Sequence, residues 1–106
     1  MEDSTLGGYL DKHRRPPAFD GSDGNPYSVE IYVDAEPCED GNYGAAVLFV
    51  RWSAEGGGVA GHLETEYLGY GKTPADASAS LRHLTLYEIK DYLDRLIETR
   101  KEVPDW

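Results

Sequence analysis

Basic residues are scarce in this chain. Ten lysines and arginines stand against twenty aspartates and glutamates in 106 residues, a formal charge of −10. That balance repels nucleic acid and anionic membranes at long range and favours a basic partner. Cysteine is nearly absent. Cys38 is the single thiol, so no intrachain disulfide can form. Its neighbours Glu36, Glu39 and Asp40 disfavour a thiolate, and it reads as a passive loop residue. No run approaches eighteen apolar residues, and the opening MEDSTLGG lacks the basic start and apolar stretch of a signal peptide. The expectation is a cytoplasmic chain with no membrane segment. Metal-site spacing is missing too: His13, His62 and His83 form no HxxxH or HExxH pair. Counted from Asp20 as the first position of a calcium loop, the third, fifth and twelfth positions are Ser22, Gly24 and Ile31, which is not a ligand set. No metal, no cofactor and no catalytic residue is expected.

The length is that of one domain able to bury its own core. Residues 4–15, STLGGYLDKHRR, read as a short helix capped by Ser4, with Leu6, Tyr9, Leu10 and His13 at helical spacing. Gly7 and Gly8 weaken it, and Pro16 and Pro17 end it. AFDGSDGNP follows as turn chemistry. In YSVEIYVD, Val29, Ile31 and Val33 alternate with Ser28, Glu30, Tyr32 and Asp34, the pattern of a half-buried strand. YGAAVLFVRW, residues 43–52, is apolar on both sides and suits a central or doubly covered strand. AGHLETEYL alternates again, with Leu63, Thr65 and Tyr67 opposing His62, Glu64 and Glu66. Short polar connections imply an antiparallel meander with one solvated face.

The stretch GYGKT, residues 69–73, ends as a phosphate-binding loop ends. A phosphate loop of that kind requires glycine five positions before the second glycine of this stretch, where Glu66 stands and would repel phosphate. Thr73, Pro74 and Asp76 instead spell a helix start: an N-cap, a proline at the first turn and a capping-box partner. A long helix is expected over residues 74–99. Its apolar residues form two stripes, Ala77, Leu81 and Leu84 against Leu86, Ile89, Leu93, Leu96 and Ile97, rotated by more than a quarter turn. Either the helix bends near Thr85 or its halves cover different surfaces. Residues 1–3 are expected to be disordered, 4–99 to form one α+β domain and 100–106 to be a tail.

Candidate chemistry is sparse. Glu30, Glu64 and Glu66 share a strand face, but an open solvated face does not raise a carboxyl pKa for acid–base work. Tyr32, Tyr43, Tyr67, Tyr70, Tyr87, Tyr92 and Trp52 are numerous for so small a chain, and such residues lead interface hot spots. A binding patch built from some of them is the most plausible functional signal.

PPAF follows the first helix and leads into YSVEIYVD, and a Gly-x-Gly-Lys-Thr turn opens the last helix. With the order helix, three antiparallel strands, helix, residues 4–95 resemble the double-stranded RNA-binding domain. That family grips phosphate with lysines at the start of its last helix; the matching stretch here is TPADASASL, preceded by Lys72 alone. The resemblance implies the fold with the RNA grip lost. GYGKTPADASASLRHL resembles the helix-opening segment of HicB-like antitoxin domains.

The expected architecture is α+β: α-β-β-β-α, a three-stranded antiparallel sheet covered on one face by helices. The expected function is that of a protein-interaction or structural module, homodimeric through Leu86, Ile89, Leu93, Leu96 and Ile97, whose exposure on a monomer would be costly. The alternative is a nucleic-acid-related module, antitoxin-like or RNA-binding, that uses His13, Arg14, Arg15 and Lys72. Enzyme activity ranks last.

Overall fold

A computed structural model of the chain describes residues 5–13, 16–53 and 58–100. The fold is α+β. Helix α1 (Leu6–Lys12) precedes strands β1 (Ala18–Asp20), β2 (Pro26–Val33), β3 (Tyr43–Trp52), β4 (Val59–Glu64) and β5 (Gly69–Gly71), and helices α2 (Pro74–Ala79) and α3 (Leu86–Arg100) follow. This corrects the α-β-β-β-α expectation: among the described residues the sheet has five strands, and three helices accompany it. The order is β1-β2-β3-β4, with β5 also paired to β3 and every pairing antiparallel.

Each departure has a local cause. The stretch read as pure turn contains β1, which pairs Phe19 with Tyr27 and packs Phe19 against the core. Its hairpin loop is tight: the Gly24 N–H donates to the Gly21 carbonyl at 2.9 Å, and Gly24 takes a φ of +83°. The run 60–68 does not continue as one strand. β4 ends with Glu64 opposite Leu48, and pairing with β3 resumes at Gly69 opposite Ala45, so the register slips between them. Thr65 holds this bulge to the sheet. Its N–H donates to the Val47 carbonyl and its hydroxyl accepts the Val47 N–H, both at 3.0 Å, so a side chain substitutes for a ladder carbonyl.

The long helix is two helices. α2 starts as expected, with the Asp76 N–H donating to the Thr73 hydroxyl at 3.1 Å. It ends at Ala79, and the chain tightens through Leu81 N–H to Ser78 O and Leu84 N–H to Leu81 O, both 3.2 Å. A second capping box then opens α3. The Glu88 N–H donates to the Thr85 hydroxyl at 3.0 Å, and the Thr85 N–H donates to the Glu88 carboxylate at 3.1 Å. The two rotated stripes therefore belong to separate helices, parted at Thr85. Helix α3 also takes in Arg100, which was expected in the tail. The N-cap of α1 is Thr5, whose hydroxyl accepts the Gly8 N–H at 3.0 Å; Ser4, residues 1–3 and residues 101–106 lie outside the described residues. The start of α1 docks on the α2–α3 turn. Leu6 N–H donates to Leu84 O at 2.7 Å and Gly7 N–H to Arg82 O at 2.9 Å, so the unsatisfied donors of a helix start meet the carbonyls of a turn.

The core lies between one sheet face and the helices. Val29, Ala45, Val47 and Phe49 of the sheet are fully buried with Leu81, Ile89 and Leu93. Ala45 apart, each such burial stabilises the fold by roughly 1.5–3 kcal/mol. Among the described residues no helix is long and apolar enough to cross a membrane.

Candidate interaction surface

The residues expected at a dimer interface are placed inside the chain's own core. Ile89, Leu93 and Ile97 are 0–1% exposed, and Leu86 and Leu96 are half-buried and pack against the same cluster. A stripe covered in this way presents no apolar surface that a second copy must bury. Of the candidate nucleic-acid residues, the two described, His13 and Lys72, lie on separate segments of the fold. His13, exposed beyond the end of α1, stacks on Tyr9 with ring centroids 4.1 Å apart, and Lys72 is exposed in the turn between β5 and α2. Arg14 and Arg15 lie outside the described residues.

GYGKT divides between two elements. Gly69–Gly71 is strand β5, and Thr73 caps α2. A Cβ on Gly71 would stand 2.5 Å from the Asp76 carbonyl carbon and 2.6 Å from its Cβ. The glycine is there because the first turn of α2 presses on the strand. His62 is exposed on β4 and His83 in the α2–α3 turn. Among the described residues no group of three or more His, Cys, Asp or Glu side chains is placed to hold a metal ion.

Most of the tyrosines and the one described tryptophan sort by sheet face. Tyr27 points inward, and its hydroxyl donates to the Asp23 carboxylate at 2.8 Å. Burial first, then the neighbouring carboxylate, pushes the Tyr27 phenol up from its ordinary value. Tyr43 and Tyr92 pack against the core. Tyr32, Tyr70 and Trp52 are 41–53% exposed, and their strand positions put them on the other face of the sheet.

That other face is built by the even-numbered residues of β2 and β3 with His62 and Glu64 of β4; past the irregularity between Arg51 and Trp52, Val59 pairs with Trp52 and joins it. Register sets Ser28 beside Val50, Glu30 beside Leu48 and Tyr32 beside Ala46; on the far side of β3, His62 lies beside Val50 and Glu64 beside Leu48. Leu48 and Val50 thus form an apolar centre, half-buried, with exposed Glu30 and Glu64 on either flank. Trp52 closes one end, its indole N–H donating to the Ser28 hydroxyl at 2.9 Å. At the other end Tyr67 folds out of the Thr65 bulge and lies on Gly44, where a Cβ would come within 2.5–2.7 Å of its ring. Its hydroxyl donates to the Asp34 carboxylate. That bond, more than desolvation, pushes the Tyr67 phenol up to about 12. The same bond, with the Glu36 N–H, holds the Asp34 carboxyl below the usual range and keeps it charged at neutral pH.

Two depressions lie side by side on this face. One, of about 370 Å³, has Ala46 at its base and is walled by Tyr32, Asp34, Glu64, Glu66 and Tyr67. The other, of about 400 Å³, is lined by Leu48, Val50 and Val59 with His62, and shares Tyr32 and Glu64 with the first. Acid–base chemistry is not what this geometry offers: the carboxylates stand on an open face, and the group beside Asp34 is a phenol held protonated. What it offers is a shaped surface of aromatic rings, aliphatic side chains and fixed negative charge.

Sequence reasoning placed Glu30, Glu64 and Glu66 on a common face and singled out the tyrosines. It expected one face of the sheet without helices but did not single out Leu48 and Val50 there, and it missed the Asp34–Tyr67 contact. A signal for the second existed: a lone glycine, Gly44, opening an otherwise bulky strand marks a close approach. No family model, curated protein or solved structure matches the chain.

Proposed function

We propose that this chain is a protein-interaction module whose working surface is the helix-free face of the sheet. One observation carries the reading. The central strand keeps Leu48 and Val50 on a face that no helix covers among the described residues, alongside Tyr32, Trp52 and Val59, which are 41%, 42% and 62% exposed. Contiguous apolar surface rimmed by polar groups marks a contact site, and tyrosine and tryptophan supply most of the energy of such contacts. The single thiol suits a reducing compartment, and the cytoplasm is the proposed home. The nucleic-acid alternative implied by the RNA-binding and HicB-like resemblances is less favoured. Its described basic residues, His13 and Lys72, sit on separate elements, and the face carries carboxylates where phosphate contacts would be needed.

A photo-crosslinking residue at Val50, compared with one at Tyr87 on α3, tests the reading in cells. Tyr87 is 86% exposed and Val50 half-buried, so accessibility alone would favour adducts at position 87. Protein adducts at position 50 and few at position 87 are expected. Adducts of equal number at both positions, or adducts to RNA at position 50, would sink it.

A further inference from the structure

The two depressions on the helix-free face differ in chemistry, and the difference specifies an occupant. The smaller places two phenol rings, Tyr32 and Tyr67, beside the carboxylates of Asp34, Glu64 and Glu66. Rings and carboxylates together suit a lysine ammonium or an arginine guanidinium, which gains both charge-assisted hydrogen bonds and cation–π attraction. The larger is lined by Leu48, Val50 and Val59 and suits an aliphatic side chain. Their bases, Ala46 and Leu48, are two residues apart on β3. Same-side positions of an extended strand repeat at about 7 Å, so an extended segment lying along β3 presents side chains at the matching interval.

We propose that the helix-free face binds an extended basic segment of another protein, with an arginine or lysine between Tyr32 and Tyr67 and an aliphatic residue two positions away over Leu48 and Val50. This rests on the interaction reading above and adds the partner's chemistry to it. Charge selects the occupant. The strand positions on this face carry Glu30, Glu64 and, just past β2, Asp34, and no lysine or arginine. Asp34 is pinned in place by the Tyr67 hydroxyl and the Glu36 N–H, so part of the negative field is fixed before a partner arrives. A second copy would bring another chain of charge −10, with the same glutamates, against this face. Nucleic acid would bring phosphates to it.

The probe is a blocked peptide in which threonine alternates with arginine, leucine and leucine. Two companions accompany it, one with glutamine for arginine and one with arginine and leucine on adjacent rather than alternate positions. Each is titrated into the full chain and followed by amide chemical shifts. Binding of the first peptide should shift Tyr32, Leu48, Val50 and Glu64, and both companions should bind more weakly. Glu64→Gln with Glu66→Gln should weaken the first peptide about tenfold, whereas Asp91→Asn with Glu98→Gln on α3, the same change in net charge, should weaken it less than about twofold.

Equal loss in the two double variants would mean that net charge alone attracts the peptide, and would overturn the proposal. Equal affinity for the glutamine peptide, or shifts confined to the helices, would overturn it as well. So would a dimer whose formation shifts the same face residues. If no peptide binds but crosslinks at position 50 still capture protein, this inference fails and the interaction reading stands. If position 50 captures nothing, both fail.

Discussion

The two faces of strand β3 carry similar side chains into different surroundings. Ala45, Val47 and Phe49 point toward the helices and are 0% exposed. Leu48 and Val50 point the other way and are only half-buried, although they sit in the same strand, between the same two neighbours. The difference lies in what each face meets. Helices α2 and α3 follow the sheet in sequence and pack on one side of it, and among the described residues no element is packed across the other. Apolar patterning on both faces of a strand states that both need cover; it does not state that the chain supplies both. Here one cover is internal, and on the reading above the other is a partner.

Truncations one residue apart give the strongest test of that contrast. Phe49→Ala should lose about 3–5 kcal/mol in urea unfolding, because the removed ring leaves a cavity in packed core. Val50→Ala should lose less than about 1 kcal/mol, because water already reaches that site. If Val50→Ala costs as much as Phe49→Ala, the outer face is covered in the free protein and the contrast collapses. Leu93→Asp belongs with the inner face. Leu93 is fully buried on α3, so the variant should lose its circular dichroism and its cooperative melt instead of yielding a folded monomer.

Glycines sharpen the comparison at lower energy. Gly71 faces the backbone of α2, which cannot yield, and Gly71→Ala should cost about 1–3 kcal/mol by thermal denaturation. Gly44 faces the ring of Tyr67, which can swing away. Gly44→Ala should therefore cost less, but it should part Tyr67 from Asp34. The Tyr67 phenol would then titrate below its value of about 12 in the intact protein. An unmoved phenol in Gly44→Ala would show that the tyrosine is not held where the glycine leaves room.

Much of the inner face was legible in the sequence. The alternation in YSVEIYVD, the bounds of β3 and the Thr73–Pro74 helix start are local patterns, and local physics decides them. The break at Thr85 was legible only as a rotation of the apolar stripe, although TLYE is itself a capping-box sequence. β1 and β5 were not legible. Each is three residues long, and each exists because a neighbouring strand offers a free edge, β2 to Ala18–Asp20 and β3 to Gly69–Gly71. Such strands are made by pairing across the chain and leave little periodicity of their own. The candidate surface is harder still. Tyr67 meets Asp34 across 33 positions, and nothing in either neighbourhood names the other. The expected exposure of the stripe failed for a related reason: Leu86 to Ile97 reads as an unpartnered face only while residues 74–99 are taken as one helix.

The smallest test compares two hairpin loops of nearly the same sequence. GSDGN, residues 21–25, and CEDGN, residues 38–42, share one geometry. In each, the glycine N–H donates three residues back at 2.9 Å, the glycine has a φ of +83° or +86°, and the aspartate accepts from the asparagine two residues on. The first loop is tied to the helix side, with Ser22 N–H donating to Asp94 at 3.1 Å and Tyr27 donating to Asp23; the second is exposed. Partial burial would raise Asp23, but hydrogen bonds from the Asn25 N–H, the Tyr27 hydroxyl and the Asn25 side chain outweigh it and hold the carboxyl below its ordinary value. Asp40 is lowered by its bonds from the Asn42 N–H and side chain. A carboxyl lowered by folding adds stability above its unfolded pKa, and that stability is lost as pH falls through the folded value. Both contributions should thus be intact at neutral pH and fade below about pH 4. Asp23→Asn should destabilise the protein at pH 7 by on the order of 1 kcal/mol, since a buried phenol loses a charged acceptor, and the difference from the parent should shrink by pH 3. Asp40→Asn should shift the melt by less at every pH. Equal shifts from the two would mean that the loop motif sets the energetics by itself. A larger shift at Asp23 would mean that the helix side determines what an identical turn contributes, as it does for the two faces of β3.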